Sequence, residues 1–317
     1  MSNGQVRVAV VGTGEIGRGW AALIAAAGWP VALYDNGRRS LEDAPADIAN
    51  RARRLVQLHR AEAAAVESGI QSITVGRSLL EACRDAQWVI EAIHEDAKAK
   101  QKLVESFETV APEARVVSSS STVVSANNLV ARAKRPERCM IVHPLNPPEL
   151  IPLVEVVPGP KTDGVLVEVV RGWLRAMGRV PVLVKKEAIG NVAGRISAAI
   201  WREVIDMVLR GVIDVDDLDR AVSVGPALSW AAAGPFLTQH LSAGDEGFGQ
   251  FFQHLHRTFE PVWNDLARWD HLDSEQQQAL IHSVERTYEG QLADIRKARD
   301  RRLAAILRAL EDSKGDV

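Results

Sequence analysis

The sequence predicts an α/β protein: a Rossmann-type, doubly wound parallel sheet followed by an all-α C-terminal domain. Three observations lead to this fold class. A glycine-rich turn joins an apolar run to a helical segment near the start, short apolar runs alternate with helical segments as far as residue 185, and no strand signal follows. Alternating strands and helices imply a parallel sheet with helices on both faces. We place the domain boundary near residue 187, giving domains 1–187 and 188–317.

The glycine-rich turn has the pattern of a dinucleotide-binding unit, with a strand before it and an alanine-rich helix after it. Gly12 permits the tight turn from strand to helix, Gly14 removes a Cβ so that a pyrophosphate can approach the backbone, and Gly17 lets the helix lie close to the strands. The helix start, with Glu15 and Ile16, offers unpaired N–H groups and a positive dipole to the phosphates. We therefore expect these five residues to contact a dinucleotide.

Asp35 ends the second predicted strand. A carboxylate at this position accepts hydrogen bonds from the adenosine ribose and repels a 2′-phosphate, so it favours NAD over NADP. Arg38 and Arg39 follow, and a guanidinium there could pair with a phosphate. NAD is the expected cofactor, and tolerance of NADP stays open.

The remaining elements follow in order along the chain. We predict helices over 47–68, 79–85, 95–104 and 163–177, and strands over 71–75, 87–92, 114–117 and 180–185. A long helix over 187–209 leads into helices at 215–222, 248–266, 274–292 and 295–310. The arginines at 296, 299, 301 and 302 form the solvated face of the last of these.

Composition excludes several classes of partner. The chain has 317 residues, a formal net charge of −3 and a pI near 6.3, so it lacks the basic character expected for binding nucleic acid or an anionic membrane. No long apolar run or signal-peptide pattern is present, which predicts a cytoplasmic protein. Cys83 and Cys139 have no metal-like spacing and are expected to be reduced thiols.

Ligands of doubly wound sheets bind at the carboxyl ends of the strands, so site residues are expected in the loops that follow strands. Glu95 lies in the loop after strand 87–92 and begins a helix that carries Lys100; acids there also complement a helix dipole. The serine run 118–122, ending at Thr122, follows the next strand. Its hydroxyls are expected either to face the cofactor or to cap a helix.

The segment from Cys139 to Val157 is the richest in candidates. An apolar strand delivers His143 to its end, and Glu155 lies within the next apolar run. A buried carboxylate needs a partner. Burying even an uncharged polar group without a hydrogen bond costs on the order of 2–7 kcal/mol, and a charge costs more. A His–Glu pair at the mouth of a nucleotide fold suits oxidation of a hydroxyl, with the imidazole taking the proton and the carboxylate stabilising the imidazolium.

The order of these motifs resembles the L-3-hydroxyacyl-CoA dehydrogenase superfamily. They are GxGxxG, Asp, Glu-Ala-x-x-Glu, a Ser/Thr loop, His-Pro-x-Asn-Pro and Leu-Val-Glu-Val. The segments HPLNPPELIPLVEVVPGP and GPFLTQHL are most similar to its free-acid branch, which includes L-gulonate 3-dehydrogenase (λ-crystallin) and L-carnitine dehydrogenase. The resemblance covers nearly the whole chain. It implies an NAD-dependent oxidoreductase that transfers a hydride between the nicotinamide and a 3-hydroxy acid or related secondary alcohol.

Residue by residue, the resemblance implies that His143 is the catalytic base, Glu155 its partner and Thr122 a hydroxyl near the substrate oxygen and the nicotinamide. The implied cofactor contacts are Glu95, Lys100, Thr122 and Asn146. The implied helical domain forms a wall of the substrate cleft and a dimer interface. We therefore expect a homodimer with a small-molecule substrate and no metal.

The chain departs from the family pattern at expected substrate contacts. The long helix of the family begins with Gly-Phe-x-x-Asn-Arg, whose Asn helps to hold the reacting oxygen; here Gly194 occupies that position, and Asn191 lies one turn earlier. The free-acid branch tends to have Met-Arg before an aromatic residue, where this chain has Leu-Ser229-Trp. The candidate substrate contacts are Ser121, Asn191, Gly194 and Ser229.

These departures leave three functions open. The first is a specialised dehydrogenase whose substrate is neither gulonate nor carnitine, and efficient turnover of L-gulonate would contradict it. The second is a 3-hydroxyacyl-CoA dehydrogenase, which needs a basic surface for the CoA phosphates. The third is a nucleotide-binding structural protein with a lapsed site, against which the presence of His143, Glu155 and Thr122 argues.

Overall fold

A computed structural model describes residues 5–290 and 292–312 of the chain. The side chains of Arg38 and Arg39, on which the expected tolerance of NADP depends, lie outside that description, as do those of residues 246 and 254–256. The chain divides into two compact units, Met1–Arg195 and Ile196–Val317. The boundary near residue 187 stays a prediction.

Eight strands form one sheet in the order β3-β2-β1-β4-β5-β6-β7-β8. The strands are β1 Val8–Val11, β2 Val31–Tyr34, β3 Ile73–Val75, β4 Trp88–Glu91, β5 Val116–Ser119, β6 Cys139–Pro144, β7 Leu153–Pro158 and β8 Val180–Leu183. Neighbouring strands are parallel except β6 and β7, which pair antiparallel. The predicted doubly wound sheet is confirmed, with its last two strands reversed.

Both faces of the sheet are covered, as a parallel sheet requires. All four residues of β1 are buried. Val8 and Val10 belong to one hydrophobic cluster, while Ala9 and Val11 belong to the cluster on the other face. Because side chains alternate along a strand, the uniformly apolar sequence of β1 supplies both cores at once.

Fourteen helices surround or follow the sheet in the described chain. They are α1 Glu15–Ala26, α2 Arg38–Gln57, α3 Ala63–Gln71, α4 Leu79–Cys83, α5 Ala97–Val110, α6 Ala126–Leu129, α7 Gly164–Ala176, α8 Ala193–Leu209, α9 Val215–Val224, α10 Pro226–Ala233, α11 Pro235–Ser242, α12 Gly247–Asp265, α13 Ser274–Thr287 and α14 Leu292–Asp312. Short 3-10 turns lie at Pro136–Arg138 and Gly244–Glu246.

The single helix predicted over 47–68 is wrong, because α2 and α3 are separate helices. The chain turns between them, and His59 adopts a left-handed backbone with φ of 56°. The turn brings α3 against α1, where a Cβ at Gly69 would lie 1.9 Å from the carbonyl oxygen of Ala25. A continuous helix could not make that contact.

Helices α10 and α11 were not predicted from the sequence. Each begins with a proline directly after a glycine, at Gly225-Pro226 and Gly234-Pro235. Gly-Pro pairs suggest a loop. At the first position of a helix, however, the backbone N–H has no intrahelical partner, so a proline, which lacks that N–H, is tolerated there. No helix of the described residues is long and apolar enough to cross a membrane.

The two cysteines lie in the N-terminal unit. Cys83 and Cys139 are free and buried. Burial raises the pKa of each thiol to about 12, so both stay protonated at neutral pH. They are unreactive core residues, in keeping with the expectation of reduced thiols.

Candidate active site

The glycine turn after β1 has a different steric demand at each glycine. Gly12 has φ of +102°, and a Cβ there would lie 2.5 Å from the carbonyl oxygen of Ala92. A Cβ at Gly17 would lie 1.8 Å from the carbonyl oxygen of Gly12, so α1 packs directly on the turn. Beyond its neighbours in the chain, no described atom lies within 4 Å of a Cβ built on Gly14. The turn is closed by Gly12 and Gly17 and open at Gly14, as a pyrophosphate cradle requires.

Asp35 lies at the end of β2 beside this turn. One carboxylate oxygen accepts hydrogen bonds from the Thr13 N–H (2.7 Å) and hydroxyl (3.1 Å), and the other accepts from the Gly37 N–H (2.8 Å). These bonds fix the carboxylate at the wall of a cleft of about 720 Å³, which Gly12, Gly14 and Asp35 help to line. The cleft has the size and the residues that the adenosine half of a dinucleotide needs.

Each serine of the run 118–121 has its own partner. Ser118 Oγ accepts from the Trp88 indole N–H (2.8 Å), and Ser120 Oγ accepts from the indole N–H of Trp20 (3.0 Å). Ser119 donates a short hydrogen bond to the Glu91 carboxylate, and Ser121 donates one to the Glu95 carboxylate. The serine run is therefore a rigid support that holds Thr122 in place.

Lys100 and Glu91 form a buried ion pair behind this support. The Lys100 ammonium donates to Glu91 Oε1 (2.8 Å) and the Ile93 carbonyl (3.0 Å) and lies 3.3 Å from Glu95 Oε2. Lys100 is 1% exposed and Glu91 is fully buried. A buried charge needs such partners. The network fixes the loop after β4, whose residues Ala92, Ile93 and His94 line the dinucleotide cleft.

Glu95 is held in place by more than Lys100. Burial would raise the pKa of Glu95, but hydrogen bonds from the Ser121 hydroxyl and the Val123 N–H, together with the charge of Lys100, lower it below its ordinary value. Glu95 is therefore an ionised side chain that links the loop after β4 to the loop after β5. Its contact with a cofactor, like that of Lys100, stays a prediction.

The antiparallel register of β6 and β7 brings His143 opposite Glu155. His143 Nδ1 lies 2.9 Å from Glu155 Oε2, and His143 Nε2 lies 3.0 Å from Thr122 Oγ1. His143 is 8% exposed and Glu155 is 1% exposed. The three residues predicted to be catalytic therefore meet in one hydrogen-bonded chain at the carboxyl end of β6.

Glu155 also accepts hydrogen bonds at the start of α8. Its second oxygen accepts from the N–H groups of Val192 (2.8 Å) and Ala193 (2.9 Å). Burial would raise the pKa of Glu155, but the hydrogen bonds from His143, Ala193 and Val192 outweigh it and lower the pKa below its ordinary value. Glu155 is thus an ionised carboxylate that caps α8 with one oxygen and orients His143 with the other.

The ionised Glu155 determines the tautomer of His143. A carboxylate can only accept, so Nδ1 carries the hydrogen and Nε2 of the neutral imidazole is an acceptor. The Thr122 hydroxyl then donates to Nε2. The arrangement has an imidazole base, a carboxylate that stabilises its protonated form, and a hydroxyl beside the basic nitrogen.

The other predicted site residues lie in four places. The Glu15 carboxylate accepts two hydrogen bonds from the Arg51 guanidinium (2.8 and 2.7 Å). Ile16 packs against the core at the start of α1. Asn146 is exposed in the loop after β6 and precedes a cis peptide bond to Pro147. Ser229 is exposed on α10 in the C-terminal unit.

Gly194 and Asn191 lie at the start of α8. A Cβ built on Gly194 would lie 3.5 Å from the Thr122 side-chain methyl group, so a side chain there would contact Thr122. Asn191 precedes the helix, with a left-handed backbone of φ 51°. It is 6% exposed, and its side-chain Nδ2 has no hydrogen-bond partner among the described residues.

The ion pair of Glu91 and the hydrogen bonds that the serines make to the tryptophans were not predicted from the sequence. Glu91 was visible as the first acid of the Glu-Ala-x-x-Glu motif, and an acid inside an otherwise apolar strand is a signal of a buried ion pair. The two tryptophans that support the serine run gave no such signal, because an indole in a core segment suggests only packing. The hydrogen bond of Trp88 depends on β4 and β5 being neighbours, and that of Trp20 depends on how α1 packs on the sheet.

Most of the chain is similar to known proteins. Residues 7–188 match the model of the 3-hydroxyacyl-CoA dehydrogenase NAD-binding domain, and residues 190–282 match that of the 3-hydroxyacyl-CoA dehydrogenase C-terminal domain. L-carnitine dehydrogenase of Streptomyces griseus is 35% identical over 96% of this chain and 89% of that protein. The human lambda-crystallin homolog is 31% identical over 80% of this chain and 82% of that protein.

Among solved structures, one similar over the full length is a 5-formyl-3-hydroxy-2-methylpyridine 4-carboxylic acid 5-dehydrogenase, described as an NAD⁺-dependent dismutase. It is 28% identical, with a TM-score of 0.82, over 97% of this chain and 99% of that one. This likeness extends over both compact units.

Proposed function

We propose that this chain, which belongs to the 3-hydroxyacyl-CoA dehydrogenase family, is an NAD-dependent dehydrogenase that oxidises a small 3-hydroxy acid or a related secondary alcohol. One observation carries the proposal. His143 lies 2.9 Å from the Glu155 carboxylate and 3.0 Å from the Thr122 hydroxyl, so an oriented base faces a hydroxyl position. The dinucleotide turn lies at the same edge of the sheet, since β1 and β6 run in the same direction.

The cofactor is held by residues of the N-terminal unit. The open position at Gly14 and the start of α1 receive the pyrophosphate, and the Asp35 carboxylate receives the adenosine ribose. We further propose that Glu95, Lys100 and Asn146 border the nicotinamide half. Glu15 pairs with Arg51 and shapes the helix start.

The chemistry assigned to the protein is proton transfer and orientation. The substrate hydroxyl takes a place beside Thr122 Oγ1, replaces the Thr122 hydroxyl as the donor to His143 Nε2, and transfers its proton to that nitrogen. Glu155 stabilises the imidazolium, because its pKa is held low by His143 and the start of α8. NAD⁺, when held in the cleft lined by Gly14 and Asp35, would supply the acceptor for the hydride of the carbinol carbon, and His143 would hold the proton as the alcohol is converted to a ketone.

The substrate is proposed to differ from those of the relatives. Gly194 and Ser229 stand where the resembling family has an asparagine and an arginine, so an oxygen contact and a bidentate carboxylate clamp are missing. The absent side chain at Gly194 leaves space beside Thr122 for a substrate group. A Cβ built on Gly194 would lie 3.5 Å from the Thr122 methyl group, an ordinary contact distance. Gulonate and carnitine are therefore expected to be poor substrates.

We also propose a homodimer formed through the C-terminal helices. Large apolar side chains there are strongly exposed, with Phe236 at 78% and Trp201 at 68%. Contiguous exposed apolar surface is typical of an interface. A cytoplasmic location is part of the proposal, and free thiols at Cys83 and Cys139 fit a reducing compartment.

Oxidation of a hydrated aldehyde is a second candidate, favoured by the full-length similarity to the pyridine-aldehyde dehydrogenase. An aldehyde hydrate has a hydroxyl and a hydrogen on the same carbon, so the same base would remove its proton. The third candidate, a 3-hydroxyacyl-CoA dehydrogenase, shares the catalytic pair.

An activity panel tests the proposal. The purified protein is assayed with 3-hydroxy acids, their CoA esters, neutral secondary alcohols and aldehydes, with NAD⁺ and NADP⁺ in parallel. We expect NADH formation with an uncharged or short-chain hydroxy compound and a preference for NAD⁺. Tight NADH binding without turnover of any compound would contradict the proposal and favour a structural role, and efficient turnover of L-gulonate would contradict the claim of an unusual substrate.

A further inference from the structure

A second cavity lies beside the catalytic residues, within the N-terminal unit. It has a volume of about 200 Å³, and Thr122, Ile141, Val157 and Asn191 are among the residues that line it. Ile141 and Val157 are partners in the register of β6 and β7, two residues from the His143–Glu155 pair and on the same face of the sheet. The cavity therefore begins next to the reacting hydroxyl position.

Asn191 is the unusual member of its wall. It is 94% buried, as its exposure of 6% implies, and its side-chain Nδ2 makes no hydrogen bond within the described chain. A buried donor left unpaired costs about 1–3 kcal/mol. The polar neighbours are already engaged: Thr122 with His143, and Glu187 with the Asn127 N–H (2.9 Å). The Asn191 amide is free to bind an acceptor that the cavity receives.

The electrostatics of the wall restrict that acceptor. No lysine or arginine occurs among the described residues that line the cavity, and its one ionisable residue, Glu187, is acidic. Most of the lining is apolar, with Val123, Val124 and Ile189 alongside Ile141. A carboxylate there would be buried without a cation, which is unfavourable. An uncharged oxygen on a short apolar arm meets the Asn191 donor without that cost.

We infer that this cavity binds one arm of the substrate and that Asn191 Nδ2 donates a hydrogen bond to an uncharged carbonyl oxygen on it. The inference rests on the proposed function, and it narrows the substrate class to neutral 3-hydroxy carbonyl compounds such as amides or esters. Asn191 determines specificity at a position different from that of the missing family asparagine at Gly194. The volume far exceeds the ~10–15 Å³ that hold one water, so an arm of several atoms fits.

The test uses four probes that share a carbinol carbon: 3-hydroxybutanamide, methyl 3-hydroxybutyrate, 3-hydroxybutyrate and 2-pentanol. For the natural chain we expect kcat/KM for the amide to exceed that for 2-pentanol and for the acid by about 10-fold or more, because a site built around a hydrogen bond rejects analogues that lack it. Equal or better use of the acid would overturn the inference.

Two substitutions separate recognition from structure. Asn191→Gly keeps the left-handed backbone, which glycine adopts freely, and removes the donor; Asn191→Asp keeps the shape and replaces the donor by an acceptor. Both are expected to reduce the preference for the amide over 2-pentanol to within about 3-fold, because the donor that favours the carbonyl compound is gone. Asn264→Asp, an exposed asparagine on α12, is the matched control. An unchanged preference in Asn191→Gly would mean that Asn191 serves the backbone turn alone.

A second readout does not depend on turnover. The side-chain amide signals of Asn191 in a ¹H–¹⁵N spectrum are identified by their loss in Asn191→Gly. They are expected to shift when 3-hydroxybutanamide is added and to stay in place with 2-pentanol. If no probe is oxidised while NADH binds, the proposed function fails, and the amide shift still decides the inference: a shift supports it and its absence overturns it.

Discussion

The two units of the chain differ most in how they use apolar side chains. The N-terminal unit buries them in two clusters on the faces of its sheet, including the fully buried Trp20 and Trp88. The described part of the C-terminal unit buries only four hydrophobic side chains, Val215, Leu218, Ala304 and Leu307. Its helices α8, α10, α11 and α13 contain no fully buried residue.

This difference separates two tasks. The N-terminal unit has a complete core, so it can hold the dinucleotide turn and the His143–Glu155 pair rigidly, as proton transfer requires. The described helices of the C-terminal unit carry exposed apolar side chains and bury only those four, which favours a role in assembly. Cofactor binding and proton transfer are thus expected to depend on the first unit, and oligomeric state on the second.

Substitution of the packed glycine is expected to have the largest effect. In Gly17→Ala the new Cβ would lie 1.8 Å from the Gly12 carbonyl oxygen, a clash between backbone groups that no rotamer change relieves. We expect loss of about 3 kcal/mol or more of unfolding free energy, measured by urea denaturation. Gly14→Ala is the matched control, since its Cβ meets no described atom within 4 Å. It should keep the wild-type stability and bind NADH about 10-fold more weakly. Equal stability of the two variants would contradict this account.

Glu155→Gln tests whether the carboxylate orients and charges the base. We expect kcat to fall about 10²–10⁴-fold, because the neutral amide neither stabilises the imidazolium nor selects the Nδ1–H tautomer. The folded-state pKa of Glu155 is lowered, so its contribution to stability is present above its ordinary value near 4.5 and is lost as pH falls through the lower folded value. In urea denaturation, the wild type should have a higher free energy of unfolding than Glu155→Gln at neutral pH. This difference should shrink below about pH 4.5. A gap that stays constant with pH would argue against an ionised Glu155.

Phe236→Asp should have a smaller effect, confined to assembly. Burial of a phenylalanine at an interface contributes about 1.5–3 kcal/mol, so a charge there is expected to weaken self-association 10-fold or more, measured by sedimentation. NADH affinity should stay within about 2-fold of wild type, because the cleft belongs to the other unit. Ser242→Asp, an exposed serine on the same helix, is the control for charge. A monomeric wild type would remove the basis of the dimer proposal.

The sequence was informative where local chemistry decides the structure. The glycine turn, Asp35 and the strand that carries His143 each follow from residue type and spacing, and the pairing of His143 with Glu155 was predicted from the position of Glu155 inside an apolar run. The reversal of β7 did not follow, although it puts Glu155 in register with His143. That pairing is a property of the sheet order, which no single segment encodes.

The contacts that support the site were also not predicted, because they join residues that are distant in the sequence. Glu155 caps α8 through the Val192 and Ala193 N–H groups, which lie far along the chain. Likewise, Asn191 could be recognised as one turn from Gly194, but its left-handed backbone and buried amide depend on tertiary packing. The break between α2 and α3 at His59 was not predicted, because the helical spacing of apolar residues continues across it.

The most direct test of the account is turnover by His143→Asn compared with wild type, with NADH titrated into both proteins. Asparagine fills part of the imidazole space and lacks a basic nitrogen. We predict an unchanged affinity for NADH and a fall of about 10²–10⁴-fold in kcat for the best hydroxy substrate of the panel, in both directions of the reaction. Wild-type turnover in His143→Asn would contradict the assignment of His143 as the base and, with it, the proposed mechanism.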